Sequence, residues 1–143
     1  MQAVVLTSTN GPSCLKIKEV ETPSPMPGEV RIKLVASALN RRDYWMTRGG
    51  YPGTQVPCIP GSDGAGIIDK VGEGVNSSLI GKEVILYPAR AWGENEVYYG
   101  PDFRVLGMPD QGTFAEFICS PAGDVYAKPE HLNWQQAAAI PLA

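Results

Sequence analysis

The sequence predicts a mainly β domain folded as a closed or partly closed barrel, and three observations carry that expectation. Gly (16) and Pro (13) make up about a fifth of the 143 residues, well above ordinary usage, and both punctuate turns. Between those breaks, about seven short segments show the two-residue alternation of half-buried strands. Helical spacing is confined to two short stretches, one after Ala38 and one after Asn133. Short strands with Gly and Pro corners close on themselves because closure removes exposed edges.

Taken in chain order, Gln2 to Leu6 and Leu15 to Val20 read as strands joined by a turn at Asn10-Gly11-Pro12. In the second, Leu15 and Ile17 alternate with Lys16 and Lys18. The Pro-rich run from Glu21 to Gly28 cannot join a sheet interior, because proline lacks the donor a ladder needs. Glu29 to Ser37 is the clearest strand, with Val30, Ile32, Leu34 and Ala36 on one face and Arg31 and Lys33 on the other. Leu39, Asp43 and Met46 then recur at helical spacing, with Asn40 and Asp43 placed as a capping pair and Gly49-Gly50 as the stop. Tyr51 to Pro60 is an irregular loop. Gly64 to Val71 and Glu83 to Tyr87 read as strands. Ala89 to Gln111 is polar and aromatic, too long for an ordinary connection, and reads as a surface lobe. Gly112 to Ser120 alternates again, and Asp124 to Lys128 is a last short strand. Asn133 caps Trp134 to Ile140, with Gln136 at the reciprocal position. The apolar end, Ala137 to Ala143, calls either for a place against the barrel or for a chain that continues.

Composition excludes several classes of function. Hydrophobic residues at 43% and charged residues at 19% argue against disorder. A chain this long is one domain and buries roughly two-thirds of its unfolded surface. The formal net charge of −3, without a run of Lys or Arg, argues against nucleic-acid binding. No apolar stretch reaches the roughly 18 residues of a membrane span, and Met1 to Leu6 lacks the features of a secretion signal. Cys14, Cys58 and Cys119 are far apart in sequence and odd in number, which fits buried thiols and a reducing, cytoplasmic setting. Asn76-Ser77-Ser78 matches a glycosylation acceptor only by chance in such a setting.

The common chemistries fail one by one. Gly61-Ser62-Asp63-Gly64-Ala65-Gly66 is glycine-rich but leads into a strand rather than a helix, and Gly72-Glu73-Gly74 lacks the third glycine, so neither reads as a dinucleotide fingerprint. Both read as places where backbones turn tightly or approach closely. A zinc site needs three or four Cys, His or carboxylate ligands. The chain has scattered cysteines and one His, His131, which reads as a surface or capping residue. Cys58 and Asp63 supply at most two ligands. What remains is polar groups next to aromatics. Asn40 and Asp43 at a helix start, facing Ser62 and Asp63, line a polar-bottomed pocket walled by Tyr44, Trp45 and Tyr51, or else act only as caps among core aromatics.

The same segments resemble the N-terminal, GroES-like catalytic domain of medium-chain dehydrogenases/reductases. Pro25-x-Pro27-Gly28-Glu29-Val30 is similar to the family's approach to its central strand, and Ala36-x-Ala38-Leu39-Asn40-x-x-Asp43 to its active-site helix. Pro60-Gly61-Ser62-Asp63-Gly64-Ala65-Gly66, Val71-Gly72-x-Gly74-Val75, Gly112-Thr113-Phe114-Ala115-Glu116 and Ala137-Ala138-Ala139-x-Pro141-Leu142 follow in family order. The resemblance implies a GroES-like, partly open β-barrel with a few short helices over residues 1–143. It also implies a C-terminal Rossmann domain that binds NAD(P)(H), absent from this chain, and dimerisation of the parent through that domain.

Zinc-dependent members place a Cys where this sequence has Asn40 and a His where it has Ser62, and their structural-zinc lobe carries four Cys where Ala89 to Gln111 has none. Amide and hydroxyl oxygens are poor zinc ligands, so the resemblance points to the zinc-free branch, similar to quinone reductases. It implies hydride transfer from NADPH to a quinone or an α,β-unsaturated carbonyl. Asn40 and Tyr51 are then the expected catalytic groups, with Asn40 also against the nicotinamide. Arg42, Asp43, Tyr44, Trp45, Ser62 and Asp63 are the expected pocket residues. In that branch a Tyr commonly stands at the Trp45 position. The fragment by itself is expected to be inactive. Two other readings stay in play: a zinc-dependent alcohol dehydrogenase relative using Cys58 and Asp63, and a non-catalytic, co-chaperonin-like binding module.

Overall fold

The computed structural model describes residues 1–142. Strand β1 (Gln2–Leu6) pairs antiparallel with β2 (Leu15–Glu19), placing Leu6 opposite Leu15. Between them the chain turns at Gly11, whose φ of 109° suits a residue without Cβ. Strand β3 (Glu29–Ala38) is followed by helix α1 (Arg41–Thr47), which starts at Asn40 and ends before Gly49 at φ 68°. Then come β4 (Asp63–Val71) and β5 (Glu83–Leu86). Three short strands, β6 (Ala89–Arg90), β7 (Arg104–Leu106) and β8 (Pro109–Asp110), form a small sheet of their own. The chain closes with β9 (Phe117–Pro121), β10 (Val125–Ala127) and helix α2 (Trp134–Ala138).

The main sheet has the order β10-β5-β4-β3-β9, and its pairings are all antiparallel. Val30 and Ile32 point into a core with Ile68, Val84, Leu86, Leu106 and Ile118, as the two-residue alternation predicts. On the opposite face Arg31 clamps Asp69 through Nε at 3.0 Å and Nη2 at 2.7 Å. Register shifts between Arg31 and Ile32 and between Leu34 and Ala36 bend β3 around its neighbour β4. Among the described residues the sheets form no closed barrel. The N-terminal pair joins the rest through bridges from Ala3 to Ala115 and from Leu6 to Cys58, which leaves the architecture mainly β and partly open.

Two sequence expectations change in the structure. The segment predicted as one strand from Gly112 to Ser120 splits. Its first half hydrogen-bonds the 59–61 turn instead, with Gly112 N to Ile59 O at 2.7 Å and Thr113 N to Gly61 O at 2.9 Å, and only Phe117 onward enters the sheet. Alternation could not show this, because both halves alternate. The segment Ala89 to Gln111 is only partly a surface lobe. Residues 91–99 are exposed, but Leu106 is fully buried in the main core and Met108 packs with Leu6, Met46 and Cys58. Burying a Leu side chain is worth about 1.5–3 kcal/mol, enough to pull this half of the lobe inward.

Helix α2 has the capping box its sequence predicts: Gln136 N donates to Asn133 Oδ1 at 2.9 Å and Asn133 N to Gln136 Oε1 at 3.1 Å. Its Ala137 and Ala138 are fully buried against Ala65, with Ala36 and Ile85 packed alongside. Of the apolar C-terminal stretch, Ala137 and Ala138 thus lie against the main sheet, while Ala139 and Ile140 are exposed. No helix of the described residues is long and apolar enough to cross a membrane.

Candidate functional site

The site forms where α1 begins, because the residues that open the helix also reach the start of β4. Asp43 Oδ2 accepts from Asn40 N at 2.8 Å, the return arm of a capping box, and Asp43 Oδ1 accepts from Gly61 N at 3.2 Å. One carboxylate therefore fixes both the helix start and the turn after Pro60. The Asn40 side chain reaches across to β4, where Nδ2 donates to Asp63 Oδ2 at 2.9 Å. Asp63 is 1% exposed, and its Oδ1 is buried without a hydrogen-bond partner. Burial pushes the Asp63 carboxyl above the usual carboxylate range, against the opposing pull of the Asn40 hydrogen bond. Burial also pushes Asp43 up, opposed by the Asn40 and Gly61 amides and by the nearby Arg42 charge.

Arg42 lies on the inner face of α1 and is 9% exposed. Its guanidinium donates through Nη1 to Ser62 Oγ and to Leu106 O, and through Nη2 to Met108 O at 3.3 Å. Ser62 Oγ in turn donates to Leu106 O at 2.7 Å. The guanidinium carbon sits 4.8 Å from the centre of the Tyr51 ring, a cation–π contact. Thr113, fully buried, completes the floor by donating from Oγ1 to Asp63 O at 2.6 Å, while Ser37 Oγ donates to Thr113 O at 2.6 Å.

The structure brings these residues together as two adjoining networks, Asn40 with Asp43 and Asp63, and Arg42 with Ser62. It divides the predicted pocket wall. A cavity of about 350 Å³ beside the helix start is lined by Asn40, Asp43, Tyr44, Leu39, Pro60 and Phe114 among others. Tyr51 lies against Arg42 and the cluster of Leu6, Met46, Cys58 and Met108 instead. Trp45 projects outward, 47% exposed, edge-on to Tyr44 with ring centres 5.5 Å apart. Ser62 is wholly buried with both roles of its hydroxyl taken up. A larger cavity, about 690 Å³, is lined by Val5, Val20, Ile59, Phe117, Arg90 and Cys119 among others; of the sequence candidates it holds only Cys58 and none of the expected catalytic or pocket residues.

Sequence reasoning missed three contributors, the Thr113 hydroxyl and the carbonyls of Leu106 and Met108. Main-chain oxygens leave no mark on a residue pattern. Thr113 stood within a quoted motif, but strand alternation hid its inward hydroxyl. His131 is exposed, and no group of three or more His, Cys, Asp or Glu among the described residues is arranged to hold a metal.

Comparison with known proteins gives these residues a context. Residues 26–130 match the family described as alcohol dehydrogenase GroES-like domain. A zinc-type alcohol dehydrogenase-like protein of Schizosaccharomyces pombe is 36% identical over the whole chain, which spans 42% of that protein. A trans-enoyl reductase of Aspergillus terreus is 30% identical over 99% of the chain and 43% of its own length. Among solved structures, an NAD-dependent alcohol dehydrogenase superposes with a TM-score of 0.90 at 36% identity, covering 99% of this chain and 43% of the other. The chain thus spans about two-fifths of the length of the relatives it matches.

Proposed function

The chain belongs to the alcohol dehydrogenase GroES-like domain family, and from that premise we propose that it is the substrate-binding half of an NAD(P)H-dependent oxidoreductase that reduces quinones or α,β-unsaturated carbonyls without zinc. In this reading the nucleotide-binding domain lies outside residues 1–143. The trans-enoyl reductase relative supports reduction of an activated alkene. The zinc-type name of another relative makes the metal question one for the residues themselves.

The observation that carries the reading is the donor set. A catalytic zinc needs thiolate, imidazole or carboxylate ligands facing an open position. Here the two diagnostic positions hold Asn40, whose amide is turned to Asp63, and Ser62, whose oxygen already accepts from a buried cation. Cys58 is buried among Leu6, Met46 and Met108, and burial pushes its thiol up and away from the thiolate a metal wants. These residues do not fit zinc.

The reduced nicotinamide, when bound, supplies the hydride. The chain's own task is to orient the acceptor and polarise its carbonyl by hydrogen bonds, since no Lewis acid does so. Asp63 anchors one amide hydrogen of Asn40, which fixes the plane of the amide and leaves the second hydrogen for a ligand oxygen. The mostly apolar cavity walled by Leu39, Tyr44, Pro60 and Phe114 lies beside that donor and, once a ligand fills it, limits the water around it. Tyr44 lines that cavity and presents the phenol for a proton at the substrate oxygen, while Tyr51 lies over the Arg42 guanidinium outside it.

The test is NADPH and NADH oxidation by the full-length protein that contains this segment, with a small quinone or an enone as acceptor, before and after exhaustive chelation. Turnover that survives chelation and falls about 100-fold or more in Asn40→Ala is the expected result. Turnover lost with the metal, or indifferent to Asn40, overturns the reading.

A further inference from the structure

We infer that the Arg42 guanidinium takes the place of a metal ion in this site, as a permanent cation that ties three chain segments together and thereby bars a divalent cation. The inference deepens the zinc-free reading above and rests on it. Arg42 is buried, yet no carboxylate among the described residues lies within ion-pair distance of it. A buried cation without a counter-charge is costly unless other dipoles surround it. Arg42 has them at its two terminal nitrogens, from the Ser62 hydroxyl and the Leu106 and Met108 carbonyls, and on its face from the Tyr51 ring, while Nε alone is left without a partner.

That shell is made of neutral oxygens and a π-surface converging on one positive charge, which is how a bound cation is held. The groups come from three separate segments: Tyr51 from the loop after α1, Ser62 from the turn after Pro60, and Leu106 and Met108 from the end of β7 and the loop that follows it. Among the described residues, that loop meets the 61–62 turn through the Ser62 hydrogen bond and the close approach at Gly107. There a Cβ would stand 2.9 Å from Gly61 O, at a φ of 95° that already favours glycine. A fixed positive charge touching Ser62 Oγ also repels any second cation placed at the same oxygen. The absence of strong ligands at positions 40 and 62 and the presence of Arg42 are therefore two halves of one arrangement. Restoring the ligands alone does not restore a metal site.

The experiment uses cobalt(II) as the probe, read by its ligand-field absorption, on the chain carrying Asn40→Cys with Ser62→His, with and without Arg42→Ser. Circular dichroism checks that each variant is folded. With Arg42 retained, cobalt binding stays weak. With Arg42 removed, the thiolate, the imidazole and the neighbouring Asp63 carboxylate bind cobalt about 10–100-fold more tightly. Equal affinity in the two variants overturns the inference, as does a folded triple variant that binds none.

A second measurement covers the case in which the triple variant does not fold. In hydrogen–deuterium exchange, Arg42→Met speeds exchange of the buried amides of residues 61–63 and 106–108 by about tenfold or more, with Arg42→Lys intermediate, while Ile68 in the main sheet stays protected. Unchanged exchange in Arg42→Met removes the tethering role. Neither readout uses turnover. Failure to reduce quinones or enones leaves the Arg42 result standing, and failure of the Arg42 tests leaves chelation-resistant turnover standing.

Discussion

Asn40 and Asp63, 23 residues apart in sequence, share a 2.9 Å hydrogen bond in which the amide nitrogen donates to a carboxylate oxygen that is otherwise shut away from water. The bond couples the first residue of the helix start to the first residue of β4. It also sets which face of the Asn40 amide remains free.

Replacing Asn40 by Asp puts a second carboxylate where the donor was. At neutral pH, two like charges face each other in a poorly solvated place, and the chain loses about 3 kcal/mol of stability. Asn40→Ala loses about 2 kcal/mol, the scale of a hydrogen bond to a charged acceptor. The order reverses in acid, because a protonated Asp at position 40 can donate to Asp63 again. Urea unfolding at about pH 7 and about pH 4 checks this. Equal losses for the two variants at both pH values rule out the direct contact.

Asp63 itself carries a pH signature. Burial raises its folded-state proton affinity above that of the unfolded chain, so the folded chain holds the proton more tightly. Its contribution to stability is complete below the ordinary carboxylate value of about 3.9 and is lost as pH rises through the higher folded value. Asp63→Asn removes that titration and keeps an oxygen for Asn40. The variant gains on the wild-type chain as pH climbs from about 4 to about 7, and the gap closes in acid. Burial raises Asp43 in the same direction, and its charge adds to the upward push on Asp63. A gap independent of pH sinks the assignment.

Much of this site was legible before any coordinates. The Asn40 and Asp43 spacing announced a capped helix start, and the glycines after Pro60 announced close backbone contact. Both readings rest on local chemistry that a pattern preserves. Arg42 was legible only as a pocket residue. Its actual partners are carbonyl oxygens 64 and 66 residues away, and no spacing rule connects a side chain to a distant main-chain acceptor. Tyr51 and Trp45 were expected to wall one pocket with Tyr44. Their separation follows from the turn at Gly49 and Gly50, which carries Tyr51 beneath the helix while Trp45 stays on its outer side. The fold was legible in its strands and illegible in its closure, because alternation marks a strand without naming its partner.

Gly112 tests the contact between the 112–114 segment and the turn after Pro60. A Cβ at Gly112 would fall on the carbonyl oxygens of Gly61 and Pro60, which are backbone and cannot swing aside. Gly112→Ala should cost about 3 kcal/mol or more. Gly123→Ala has open space around the added methyl and should stay within about 0.5 kcal/mol of the wild-type chain. Thermal unfolding of the pair decides the matter, and a Gly112→Ala chain as stable as Gly123→Ala would contradict the close approach.

The three thiols should separate cleanly by reactivity, since only the thiolate attacks an electrophile. Cys14 is half-buried, and the Ser8 hydroxyl, donating to its sulfur at 3.0 Å, draws its pKa below the usual thiol value. Cys58 is buried, and its pKa is raised by that burial. Cys119 is pushed up to about 11, chiefly by burial and then by the Glu29 charge, so roughly one molecule in a thousand carries its thiolate at about pH 8. Labelling the folded chain with a small iodoacetamide or an aromatic disulfide, followed by peptide mass analysis, should mark Cys14 at least about tenfold faster than either of the others. Ser8→Ala should narrow that lead by removing the hydrogen bond that favours the Cys14 thiolate. Denaturant should then erase it, because unfolding returns all three sulfurs to water and to one common pKa. If Cys119 is labelled first in the folded chain, the packing of β9 against Arg31 and Glu29 is not as described.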